Sequence, residues 1–168
     1  MYTNIKSRVR PAWGIPAFFI MSLLALPFFG PAHADTTPEL NLSIEYVDGD
    51  EGNSGVTRYK VTVTANVAPG LTDTGRTRIF RFNYTLGGTA VDDEDYAFGG
   101  LAYNNIEHPA KTHTSTLTIK GDTEQEDNET VIIKISRNDV HKFGLDRYPR
   151  NLKIGDNDTV TFTILDDD

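Results

Sequence analysis

The sequence predicts an all-β chain, an antiparallel β-sandwich of about seven strands. Three observations carry that prediction. Apolar residues recur at every second position in segment after segment, among Thr, Val, Ile, Phe and Tyr. Helical spacing is hard to find anywhere after residue 35. The alternate phase of each segment holds Thr, Lys, Arg and Asn, so one face of each sheet meets water and a second sheet must cover the other.

The N-terminal stretch stands apart. Lys6, Arg8 and Arg10 precede an apolar run at 12–29, and "AHA" at 32–34 supplies a small-x-small site before Asp35. A basic start, a short apolar run and such a site read as a secretory signal peptide, residues 1–34. The competing reading, a membrane anchor, has a run barely long enough to span and broken by Pro16 and Pro27. Cleavage leaves 35–168 as a single domain, secreted, periplasmic or at the cell surface, with no stable membrane anchor.

Within that domain "LNLSIEYV" (40–47) puts Leu40, Leu42, Ile44 and Tyr46 on one face. "RYKVTVTA" (58–65) does so with Tyr59, Val61, Val63 and Ala65, and "IFRFNYTL" (79–86) with Phe80, Phe82, Tyr84 and Leu86. A short strand is expected near 100–104. The series ends with Leu117 and Ile119 in 114–120, Val131, Ile133 and Ile135 in 130–136, and Val160, Phe162 and Ile164 in 159–165. No 20–50-residue repeat divides the chain, and no Cys…Trp…Cys spacing marks a true immunoglobulin domain. The connection 66–77 is rich in Gly, Pro and Thr, whereas 137–158 is long enough to be a hairpin or a functional loop.

Charge narrows the function. The chain carries a net −8, and loss of the leader removes three basic residues and no acid. Such a balance disfavours nucleic acid and anionic membranes and favours cations or basic partners. Without cysteine there are no disulfides and no thiolate metal sites. No H-E-x-x-H, G-x-S-x-G, P-loop or cysteine nucleophile is present, so the chain does not read as an enzyme. Paired carboxylates can hydrolyse glycosides, but the acidic segments offer only Tyr96 as an aromatic platform. Asn-x-Ser/Thr sites at Asn41, Asn83, Asn128 and Asn157 matter only in a glycosylating host.

The acids fall in four blocks, at 48–52, 92–96, 121–129 and 166–168. Each follows an odd-numbered strand. Strands alternate direction in an antiparallel sandwich, so all four blocks are expected at one pole. Carboxylates gathered there raise one another's pKa values or push the loops apart. A divalent cation removes the conflict, although acidic loops that merely solvate a domain are the ordinary alternative. Calcium accepts six to eight oxygens in irregular geometry, magnesium demands a stricter octahedron, and zinc would want His or Cys. EF-hand spacing is absent, since the stretch from Asp156 leads into a strand.

Four segments, "DEGNSGV" (50–56), "FNYTLGGTAVDDEDYA" (82–97), "TLTIKGDTEQEDNETVIIKIS" (116–136) and "TVTFTILDDD" (159–168), resemble the Calx-β domain in order and spacing. The "GTA…DY" and "ILDDD" pieces are the most specific. The resemblance implies an immunoglobulin-like antiparallel β-sandwich that binds Ca2+ at one end and serves adhesion, surface structure or assembly. Matched by position, it implies Glu51, Asp95, Asp122, Glu126, Asp166, Asp167 and Asp168 as metal ligands, Glu129 as a supporting acid and Tyr96 as packing below them. Gly121 stands where calcium-binding members often carry the first of two aspartates, which implies one or two ions. The alternative function is a metal-independent protein-interaction module. In it the 137–158 loop meets a protein partner through His141, Lys142, Phe143, Arg147, Tyr148 and Arg150.

Overall fold

Period-two burial organises the chain into ten strands in a computed structural model that describes residues 37–100, 104–138 and 147–168. The leader expected at 1–34 lies outside the described residues, as does 139–146 of the long connection. The strands are β1 (Glu39–Ile44), β2 (Asp48–Asp50), β3 (Gly55–Ala65), β4 (Ile79–Gly88) and β5 (Tyr96–Gly99), then β6 (Asn104–Glu107), β7 (Thr112–Gly121), β8 (Glu129–Arg137), β9 (Lys153–Ile154) and β10 (Thr159–Leu165). One sheet runs β5-β7-β3-β1-β9 and the other β2-β10-β8-β4-β6, giving the sandwich.

The inward phases close on a single core. Leu40, Leu42, Val61, Val63, Phe80, Phe82, Leu117, Ile119, Val131, Ile133, Ile135, Phe162 and Ile164 are all buried, in the phase that alternation predicts. Aromatic rings fasten the two layers. Phe82 meets the His113 ring of β7 edge-on at 5.4 Å, Tyr84 meets Phe98 at 4.9 Å, and Tyr59 tilts against Phe162 at 4.5 Å.

Two expectations need correction. The 40–47 segment is not one strand: β1 ends at Ile44, and Tyr46 and Val47 are 59% and 64% exposed. There the chain crosses to the other sheet, where β2 pairs with β10, so Tyr46 has left the core face and only touches the Tyr59 ring edge-on at 6.2 Å. Of the short strand expected near 100–104, residues 101–103 lie outside the described residues; the strands on either side, β5 on β7 and β6 on β4, are edge strands of different sheets, and Gly100 after β5 has φ 126°. The pairing is also not purely antiparallel, because β1–β9 and β2–β10 are parallel. Each of these is two or three residues long, so both seal a sheet edge rather than build a layer.

Strand direction then decides which loops meet. β4, β7 and β10 end at one pole, and β3 and β8 begin there. The connections 50–55, 88–95 and 121–129 and the segment after Leu165 therefore share that pole.

Phe162→Ala should cost about 3–5 kcal/mol in urea unfolding, because a fully buried ring facing Tyr59 is replaced by a cavity. Ile132→Thr, on the half-exposed outer face of β8, should change stability by about 0.5 kcal/mol or less.

Candidate metal centre

The acidic pole is assembled by backbone hydrogen bonds before any side chain is considered. Glu51 N–H donates to the Leu165 carbonyl at 3.0 Å, and Lys120 N–H to the Asp95 carbonyl at 2.8 Å. Thr89 N–H donates to the Thr130 carbonyl at 3.0 Å, while Thr130 N–H donates to Thr89 Oγ1 at 2.8 Å. These bonds stitch all four acidic segments to their neighbours.

Asp95 sits in a tight turn whose Val91 N–H donates to its carboxylate, next to Tyr96, which is buried below. It shares the centre with Glu126 and Glu129: carboxylate oxygens of the three lie within 4.8 Å of one another. An opening of about 500 Å³ lined by Thr89, Glu126, Asp127, Asn128 and Glu129 adjoins them. Glu51, Asp122 and Asp166 stand close enough to act electrostatically on this group.

The closing triplet does not face solvent alone. Asp166 accepts the Glu126 N–H at 3.2 Å through Oδ2, and its own N–H donates to Asn128 Oδ1 at 3.1 Å. Asp167 Oδ1 accepts the Gly52 N–H at 2.8 Å, and Asp168 accepts from the Asn53 side-chain amide. Thus Asp95 and Glu126 come together with Glu129. Glu51, Asp122 and Asp166 surround them, and Asp167 and Asp168 turn toward the 52–53 loop.

Crowding shows in the protonation equilibria. Partial desolvation, a hydrogen bond with Asp95 and the charges of Asp95, Glu126 and Glu51 push Glu129 up to about 7. Desolvation and then Asp122 raise Glu51, and desolvation and then Asp95 raise Glu126. Glu129, expected as a supporting acid, stands beside Asp95 and Glu126 in the tightest group of carboxylates among the described residues. The signal was in the alternation: 129 shares its phase with Val131, Ile133 and Ile135, so its side chain points inward at the rim of the core.

Gly121 has a steric reason. A Cβ there would lie 1.9 Å from the Gly52 carbonyl oxygen and 2.8 Å from that of Glu51. The end of β7 runs against the 51–52 loop, and that contact leaves no room for an aspartate.

Of the aromatic and basic residues expected in the long connection, His141, Lys142 and Phe143 lie outside the described residues. Arg147 Nε donates to the Thr77 carbonyl at 3.0 Å, and Tyr148 lies under the Arg81 guanidinium at 4.8 Å. Both are anchored to the sandwich, at the end away from the acids.

Two outcomes follow. Without divalent cation, Glu129 keeps its proton in the folded state at pH values where the unfolded chain has lost it. Its contribution is therefore complete below about pH 4.5 and lost as pH rises toward about 7. Urea midpoints of the metal-free protein should fall across that window, and Glu129→Gln should flatten the fall. Gly121→Ala should destabilise by about 1–3 kcal/mol, read in the same assay, because its methyl group meets backbone rather than a side chain that can swing away.

No protein-family model matches the chain, and no curated protein matches it in sequence. Among solved structures, the apo form of the Calx CBD1 domain is similar over 79% of this chain and 100% of that one, at 14% identity and a TM-score of 0.47. CBD12 from CALX1.2 is similar over 77% of this chain at 16% identity and a TM-score of 0.54, and the match takes in 44% of that structure's length. At such identities the likeness is one of fold, and by fold the described domain is a β-sandwich of the Calx CBD kind.

Proposed function

We propose that this chain is a calcium-binding β-sandwich module, exported by its leader, that serves adhesion, surface structure or an assembly. The observation that carries the reading is the trio Asp95, Glu126 and Glu129, whose oxygens lie within 4.8 Å of one another. Two oxygens bound to one calcium at 2.3–2.6 Å can be at most about 5 Å apart, so the trio is within reach of a single ion. The donor set also fits in kind, since it is made of hard oxygens and holds no histidine.

Asp95, Glu126 and Glu129 form the inner ligands, and Glu51, Asp122 and Asp166 complete them from the surrounding loops. Asp167 and Asp168 keep an oxygen toward the rim while tethering residues 52 and 53. A bound dication neutralises charges that otherwise repel. The chain's own part is to hold four loops at a spacing in which those charges cannot separate. With the loops drawn together, the pole becomes a rigid surface for whatever the module joins.

The arrangement favours a binding module over a catalytic one. Among the described residues Tyr96, the aromatic next to Asp95, is buried rather than presented as a platform for a sugar ring.

Calorimetric titration with calcium should give saturable heat, and the melting temperature should rise with it. At a hundredfold excess over Kd the stabilisation is about 2.7 kcal/mol. Glu126→Gln with Asp95→Asn should remove most of the response and leave the fold, because the amide oxygen of the second substitution still accepts from Val91 N–H. Binding should weaken as pH falls below about 7 and should release a proton from Glu129. Absence of both heat and a melting shift in millimolar calcium contradicts the reading.

A further inference from the structure

The pole opposite the acids is lined with arginines, and most of them are engaged. Arg81 donates through Nε to Asn105 Oδ1 at 3.0 Å and covers the Tyr148 ring. Arg137 donates to the Arg150 and Leu152 carbonyls at 3.0 and 3.2 Å. Arg147 donates to the Thr77 carbonyl. Arg78 differs. Its Nε is buried and has no hydrogen-bond partner, and among the described residues its guanidinium enters no ion pair.

A buried charged donor without an acceptor is rare in native proteins, because the group has lost water and gained nothing in return. Arg78 is also one of three residues that two cavities share. One, of about 320 Å³, is lined by Thr72, Thr74, Tyr148, Arg150 and Asn151. The other, of about 170 Å³, shares Arg78, Pro149 and Asn151 with it. The larger falls in the size range of small-ligand pockets. Arg150 adds a second guanidinium, and Thr74 and Asn151 add hydroxyl and amide donors. Asp73, the acid on the wall, is exposed and does not pair with Arg78.

A guanidinium presents parallel N–H donors in a fixed fork, which matches two oxygens of one carboxylate, phosphate or sulfate. We propose that this cavity is a binding site for a compact oxyanion, held by Arg78 with Arg150 at the rim. The connection that carries Arg150 also carries Pro149 and Tyr148, stacked under Arg81, so the wall is held in place before any ligand enters. This site does not depend on the acidic pole. It attracts the opposite charge, from the other end of the sandwich.

The test uses the purified chain in calcium-free buffer at constant ionic strength, with chloride as the reference anion. Phosphate, sulfate and acetate are titrated separately while thermal stability and backbone amide shifts are followed. The site predicts a rise in melting temperature over chloride for at least one of them. It also predicts saturable shifts confined to residues 72–78 and 148–151. Arg78→Gln should weaken that binding roughly tenfold or more, and Arg78→Lys should restore only part of it, because an ammonium lacks the fork. Both variants should keep the wild-type response to calcium, whether that response is present or absent. Glucose 6-phosphate compared with inorganic phosphate tells a group carried on a larger ligand from a free ion. Anion effects that match chloride, or shifts spread evenly over the surface, overturn the proposal. If Arg78→Gln does not fold, the amide shifts of the unmodified chain decide on their own.

Discussion

Like charges forced into one place are the constraint on which the rest of this structure depends. Antiparallel strands return their connections to the same end at every second turn, and here every second connection is acidic. At an effective dielectric near 20, two carboxylates about 4 Å apart repel by about 4 kcal/mol. The fold offsets part of this with donors it has to place anyway. The N–H groups of Gly52, Glu126 and Val91 point at Asp167, Asp166 and Asp95. A proton retained on Glu129 offsets more. What is left is a pole whose stability follows pH, on a sandwich whose core is indifferent to it.

That indifference comes from packing. The phenylalanine, leucine, isoleucine and valine side chains between the sheets carry no charge, and the Tyr59–Phe162 and Tyr84–Phe98 contacts join the layers. β3 alone, eleven residues long, spans roughly 35 Å. The screening length at physiological salt is about 8 Å. The acidic end and the arginine-lined end are therefore electrostatically independent, and a ligand at one leaves the charge balance of the other unchanged.

Much of this was legible in the chain. Alternation at Val61–Val63, Phe80–Phe82, Val131–Ile133–Ile135 and Phe162–Ile164 identified the core face, because a strand that packs on one side has no other way to sort its residues. The same rule misplaced Tyr46. Alternation continues through it, but the backbone leaves the first sheet at Ile44 to pair with the second, and periodicity carries no record of a change of partner. Glu129 is a different case: its phase with Val131 points it inward, but that Asp95 and Glu126 meet it there depends on neighbours far away in sequence.

The amino-acid sequence alone determined the class of fold, the strands of the core and the grouping of acids after alternate strands, since each of these rests on spacing along one chain. Tertiary structure decided which oxygens meet, why residue 121 has no side chain, and that Arg78 Nε is buried without an acceptor beside two cavities. These are distances between segments tens of residues apart. They are set by the pairing of β3 with β7, of β4 with β8 and of β8 with β10, which local pattern does not encode.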